Sequence, residues 1–296
     1  LQGMSSEHAE VRKLLLALSG KVAECKEPLL AQHVGNALYG LQGMSSEHAE
    51  VRKLLLALSG KVAECKEPLL AQHVGNALYG LQGMNSVHAE VEACLAALSP
   101  KLDKLNDSLL PSVKRDVTVH DLRDLFRSLK LFQLGPCGQG KSIAESTDKL
   151  EGTVARLLNE SRSDSAPAAS VRSTEGRFAS AIREELEAYS LRTGSPMPTM
   201  STNEFLEGCF EADIVIRVSS PASGTGAACS RVVNIEIDGP SHQFVKTMRL
   251  TKLRDAYLAQ KCGVEVGRIP LEGEYYSAAE IRNIARDKLA GMQLIE

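Results

Sequence analysis

Three acidic residues are spaced so that they could act together on a phosphodiester. Residues 232–242 read VVNIEIDGPSH. Val232, Val233, Ile235 and Ile237 are β-branched and apolar, which favours a buried strand. Glu236 and Asp238 lie two residues apart, so on a strand both carboxylates leave the same face. Gly239-Pro240 then ends the strand in a turn. Upstream, EADIVIRV (211–218) is a second apolar strand, and it carries Asp213. Buried carboxylates are costly unless they meet solvent, a cation or a partner. Gathered at one edge of a small sheet, Asp213, Glu236 and Asp238 would be hard oxygen ligands for a magnesium ion, which could activate water and clamp a phosphodiester. An ordinary strand end with solvated acids is the plainer alternative.

These acids need elements to hold them. Arg177–Tyr189 reads as a helix, with Phe178, Ala181, Ile182, Leu186 and Tyr189 at spacings of three or four. Val245–Cys262 reads as a second helix and VEVGRIPL (264–271) as another strand. Lys246, Arg249, Lys252 and Arg254 fall on that second helix with no acid among them, so a cationic helix beside the sheet could hold phosphates. An ordinary basic helix face is the alternative. His242 could donate to a phosphate or a base, and Lys246 or His242 could assist proton transfer in a cleavage reaction.

The segment from about Glu175 to Leu289 resembles a RAP domain. The resemblance rests on IEIDGPSHQF (235–244), a basic helix through Thr251–Arg254, Gly263 at its end, and a valine-rich strand with Val264, Val266, Ile269 and Pro270. It implies a small mixed sheet of the restriction-endonuclease-like kind and a role in organelle RNA metabolism: processing or stability of messenger or ribosomal RNA, or ribosome assembly. Endonuclease-like strands place a lysine two residues after the acid, where this chain has Asp238. That departure favours a binding module over a magnesium-dependent endoribonuclease using Asp213, Glu236 and Asp238. A structural protein of an organelle ribosome is a further reading. The implied partners are single-stranded RNA and ribosomal particles, with no membrane. Magnesium is implied only for catalysis, and the implied compartment is the mitochondrion or a plastid.

Composition limits these readings. The net charge is −3 over 296 residues, so any RNA contact must come from a local patch. Aromatics are 4% and Trp is absent, which argues against a rich stacking platform. Seven cysteines without a C-x-x-C pair fit free thiols rather than a disulfide framework or a zinc site. No apolar run approaches the length of a membrane span. There is no charged-then-apolar leader; the chain begins inside a repeat, as a piece of a longer protein would.

Residues 1–40 and 41–80 are identical, and a diverged copy starts at Leu81. A period of 40 predicts a repeat architecture. Within a unit, Ser5 or Ser6 can cap a helix starting near Glu7, whose stripe is Val11, Leu14, Leu15, Leu18 and Val22. Pro28 suits the first turn of a second helix carrying Leu30, Val34, Ala37, Leu38 and Leu41, with Gly43 as a stop. Such hairpins stack into an α-solenoid. The third copy is expected to lose the pattern after about Lys101. The unit resembles octotricopeptide-like helical repeats, which implies tracking of a single RNA strand. The polar positions available for it are Glu7, His8 and Arg12 on the first helix and Gln32, His33 and Asn36 on the second. Each identical unit has four basic and four acidic residues, so selectivity would come from hydrogen bonds to bases.

Asn159–Gly176 and 219–230 are Ser/Ala-rich and read as a tether and a long loop. GPCGQGKS (135–142) satisfies the phosphate-loop spacing, but Leu122, Leu125, Phe126, Leu129 and Phe132 before it are helical rather than the strand such a loop requires. The expected architecture is α plus α/β: a helical repeat region over 1–133, a helix and flexible linker over 134–175, and a RAP-like domain over 176–296.

Overall fold

A computed structural model describes residues 1, 3–109, 117–161, 173–219, 230–238, 245–271 and 276–296, with the backbone alone at 230 and 245–250. The chain divides into two compact units, Leu1–Ser163 and Asp164–Glu296. The first is helical; the second holds one small mixed sheet with helices.

Unit 1 contains α1 (Ala9–Glu24), α2 (Ala31–Tyr39), α3 (Ala49–Glu64), α4 (Ala71–Leu81), α5 (Ala89–Ser108), α6 (Val119–Leu134) and α7 (Ala144–Glu160). Each packs mainly on the helix two places along: α1 on α3, α3 on α5, α5 on α7, α2 on α4, α4 on α6. The apolar stripes explain this. Val51, Leu54, Leu55, Leu58 and Val62 of α3 are all buried between its neighbours. The polar contacts repeat with the sequence. Ser6 Oγ accepts the Ser45 N–H and Ser46 Oγ accepts the Asn85 N–H, both at 2.9 Å. His48 meets Glu7, and His88 meets Glu47, both at 3.1 Å.

Three local expectations are corrected. The first helix starts at Ala9 without a side-chain cap, because Ser6 serves the following unit instead. Pro28 lies before α2, whose first N–H, Ala31, is capped by Glu67 from the next unit at 2.8 Å. The third copy does not fade at Lys101: α5 continues through Pro100 to Ser108 and buries Leu102 and Leu105. Lys101 itself is buried, its ammonium donating to the Cys65 carbonyl. Gly43, with φ +81°, makes the left-handed turn into α3. Helix α7 packs on α5 and α6 and belongs to unit 1.

Unit 2 runs α8 (Thr174–Thr193), β1 (Thr199–Leu206), β2 (Phe210–Ser219), β3 (Ser230–Asp238), α9 (Val245–Cys262), β4 (Val264–Pro270) and α10 (Ala278–Gly291). The sheet order is β1-β2-β3-β4. The first three strands are antiparallel; β3 and β4 are parallel, joined through α9 as a parallel pair requires. Ser173 caps α8, and Gly194 at φ +71° closes it. β1 is an edge strand of mostly polar residues, which periodicity does not reveal.

One face of the sheet forms the core with α8 and α10: Ile214, Ile216, Val233, Ile235 and Ile237 pack with Phe178, Ile182, Ile281 and Leu289. Strand alternation therefore turns Asn234, Glu236 and Asp238 to the opposite face, toward α9. Segments 162–172 and 220–229, where a tether and a loop are expected, lie outside the described residues, as does His242. Among the described residues no helix is long and apolar enough to cross a membrane.

Candidate functional site

The acidic strand end is built by register. Ile214 pairs with Ile235 across β2 and β3, so the next step toward the strand end sets Asp213 opposite Glu236. The paired ladder stops there. Asp213 Oδ2 accepts the Ile237 N–H at 2.7 Å, taking the place of a backbone carbonyl. Burial, and then the negative charge of Glu236, push the Asp213 carboxyl up to about 6; the Ile237 N–H and Arg254 only partly offset this.

Glu236 is 3% exposed. Its Oε1 accepts from Asn234 Nδ2 at 2.7 Å and its Oε2 meets Arg254 Nη2 at 2.8 Å. Arg254 comes from α9 and also donates to the Glu211 carbonyl at 3.3 Å. Asp238 meets Arg268 of β4 at 2.6 Å. Arg268 turns its other nitrogens onto Asp255 of α9, at 2.8–3.0 Å. Two guanidinium groups thus tie three carboxylates into a network that pins α9 to β3 and β4. Phe210 and Tyr257 add a ring contact between β2 and α9, with centroids 5.2 Å apart.

This geometry brings Asp213 and Glu236 together. Among the described residues no three His, Cys, Asp or Glu side chains are grouped to hold a metal ion. Asp213 is committed to a backbone N–H, and Glu236 and Asp238 each face an arginine. Arg254, expected at a phosphate, is turned inward onto Glu236. Lys252 is exposed on α9; Lys246 and Arg249 occupy positions on the same helix. Three members of the network are absent from the sequence expectation: Asn234, Asp255 and Arg268. Asn234 was findable, since it precedes Glu236 by two residues and shares its face.

The phosphate-loop spacing at 135–142 follows helix α6, not a strand. Glu92 of α5 accepts both the Ser142 N–H at 2.8 Å and its hydroxyl at 2.6 Å, so a carboxylate already sits against this turn.

Compared with family models, with curated proteins and with solved structures, the chain matches none.

Proposed function

We propose that the protein binds RNA through helix α9 and acts in organelle RNA metabolism, in the processing or stability of ribosomal or messenger RNA or in ribosome assembly. The reading rests on the resemblance of Glu175–Leu289 to RAP domains together with one observation: the ion pair between Glu236 and Arg254. The acids face the helix and anchor it, so they do not stand open toward a polyanion. Lys252 is left exposed on α9, on the helix that also carries Lys246 and Arg249.

In this reading unit 1 is an α-solenoid of octotricopeptide-like hairpins that follows a single strand. The packing of each helix on the one two places along supports it. Gln32 and His33 are exposed and open to bases, whereas Arg12 is spent on the Ser6 and Glu7 carbonyls. The mitochondrion or a plastid is the proposed compartment.

Magnesium-dependent cleavage has less support, because Glu236 and Asp238 are neutralised by arginines. Incubating the protein and an Asp238→Ala variant with magnesium and end-labelled single-stranded RNA separates the two. Retention of intact RNA by the parent supports binding. Cleavage by the parent that the variant loses replaces this reading with the nuclease.

A further inference from the structure

β4 is an outer strand of the sheet, and among the described residues it has a strand neighbour on one side only. The Leu271 N–H donates to the Asp238 carbonyl, so the odd-numbered residues of β4 turn their N–H and C=O groups to β3. Val266 and Arg268 turn theirs outward. Pro270, on the same free edge, has no N–H to offer. Such an edge is a template for pairing with another chain. Beside it runs α10. Ile281, Ala285 and Leu289 of α10 face the core, while Ile284, Asp287, Lys288 and Gly291 form a second stripe at helical spacing. Between that stripe and β4 lies a groove of about 490 Å³.

The groove has an apolar wall and one unmatched cation. Ile269, Pro270, Ile284 and Met292 supply the wall. Arg268 borders it too, but its guanidinium is held by Asp238 and Asp255. Asp287 stands exposed on the rim. The Lys288 chain lies against Gly267, where an added Cβ would overlap Lys288 Cε and Met292 Sδ. Glu265, whose charge reaches Lys288, is already paired with Arg231 at 2.6 Å. Among the described residues no carboxylate lies within ion-pair distance of Lys288. Burial, and then the charge of Arg268, hold the Lys288 ammonium below its ordinary value, and Glu265 only partly offsets them.

We infer that the groove between α10 and the free edge of β4 takes an extended acidic peptide segment of a partner protein, added to the sheet as a fifth strand. The outward N–H and C=O groups of Val266 and Arg268 pair with its backbone. Its side chains alternate, so every second one enters the groove. One carboxylate meets Lys288 at the level of Gly267, and an apolar side chain two residues away packs on Ile269 and Ile284. The charge match selects an acidic segment. An RNA strand has no N–H and C=O ladder to match this edge. The groove lies across the sheet from the acids that face α9, so this role is independent of the RNA reading.

A displayed library of random short peptides, panned on the full chain, tests this. Selected peptides are expected to carry an apolar residue and an Asp or Glu two positions apart. Their affinity, read by fluorescence polarisation, is expected to fall at least ~10-fold in Lys288→Met, the loss of one charged hydrogen bond. Gly291→Arg, whose side chain enters open space at the groove, is expected to block binding as well, with circular dichroism certifying each fold. Panning on Lys288→Glu is expected to select Lys or Arg in place of the acid. An N-methyl scan of a selected peptide is expected to abolish binding at alternate positions. No selected pattern, or selected peptides that bind Lys288→Glu as tightly as the parent, overturns the inference. So does an N-methyl scan without alternation. Oligouridine binding that Lys288→Glu abolishes, with no peptide selected, makes the groove an RNA surface instead. A dimer in sedimentation that Gly291→Arg disperses makes it a contact between copies.

Discussion

Arg254 on α9 and Glu236 on β3 form a 2.8 Å ion pair in which the glutamate side chain is 4% exposed. The pair joins the crossover helix to the strand it leaves. Its charges are matched also by Asn234 and by the Glu211 carbonyl, so each partner is held by more than one bond. Removing one side strands a buried charge. Arg254→Met is expected to destabilise unit 2 by about 3–5 kcal/mol in urea unfolding, and the double variant Arg254→Met/Glu236→Gln by markedly less. Equal losses in the single and double variants would show that the pair is not coupled.

Asp213 gives unit 2 a pH dependence of definite sign. Its folded carboxyl titrates at about 6, raised from an ordinary value of 3.8, so the folded state holds the proton more tightly. Its contribution is favourable below the ordinary value and is lost as pH rises through about 6. Asn keeps an oxygen for the Ile237 N–H and cannot ionise. Asp213→Asn is expected to be more stable than the parent above pH 6 by at most ~3 kcal/mol, with the difference shrinking toward pH 4. Parallel stability–pH curves would contradict this cause.

Much of this site was legible. The alternation of VVNIEID puts Glu236 and Asp238 on one face, and the helix and strand after them are where their spacings place them. The register was not legible: that Asp213 faces Glu236 follows from Ile214 meeting Ile235, a pairing no local spacing encodes. Arg268 escaped for the same reason, since it reaches Asp238 from a strand 30 residues away. In the repeats the apolar stripes located the helices. The serine cap was misassigned because the partner of Ser6 lies 39 residues on, in the next unit. β1 had too few apolar residues to announce an edge strand.

Gly40 and Gly80 hold the same repeat position and should respond oppositely to a methyl group. Gly80→Ala would drive its Cβ into the Leu38 carbonyl and push α4 off α2, with an expected loss of about 1–3 kcal/mol. Gly40→Ala meets nothing closer than 3.4 Å and is expected to be neutral or to stabilise by up to ~1 kcal/mol through the unfolded chain. Thermal melts of the two variants make the comparison, and equal losses would contradict the packing.

The salt dependence of binding tests the proposed RNA-binding role of α9 most directly. Affinity for single-stranded RNA is measured from low to moderate salt for the parent and for Lys246→Ala/Arg249→Ala/Lys252→Ala, with circular dichroism confirming the fold of each. Loss of three phosphate contacts is expected to weaken binding at every salt concentration and to reduce the log–log salt slope by about 2. A variant that binds as tightly as the parent, with the same slope, would contradict the central claim.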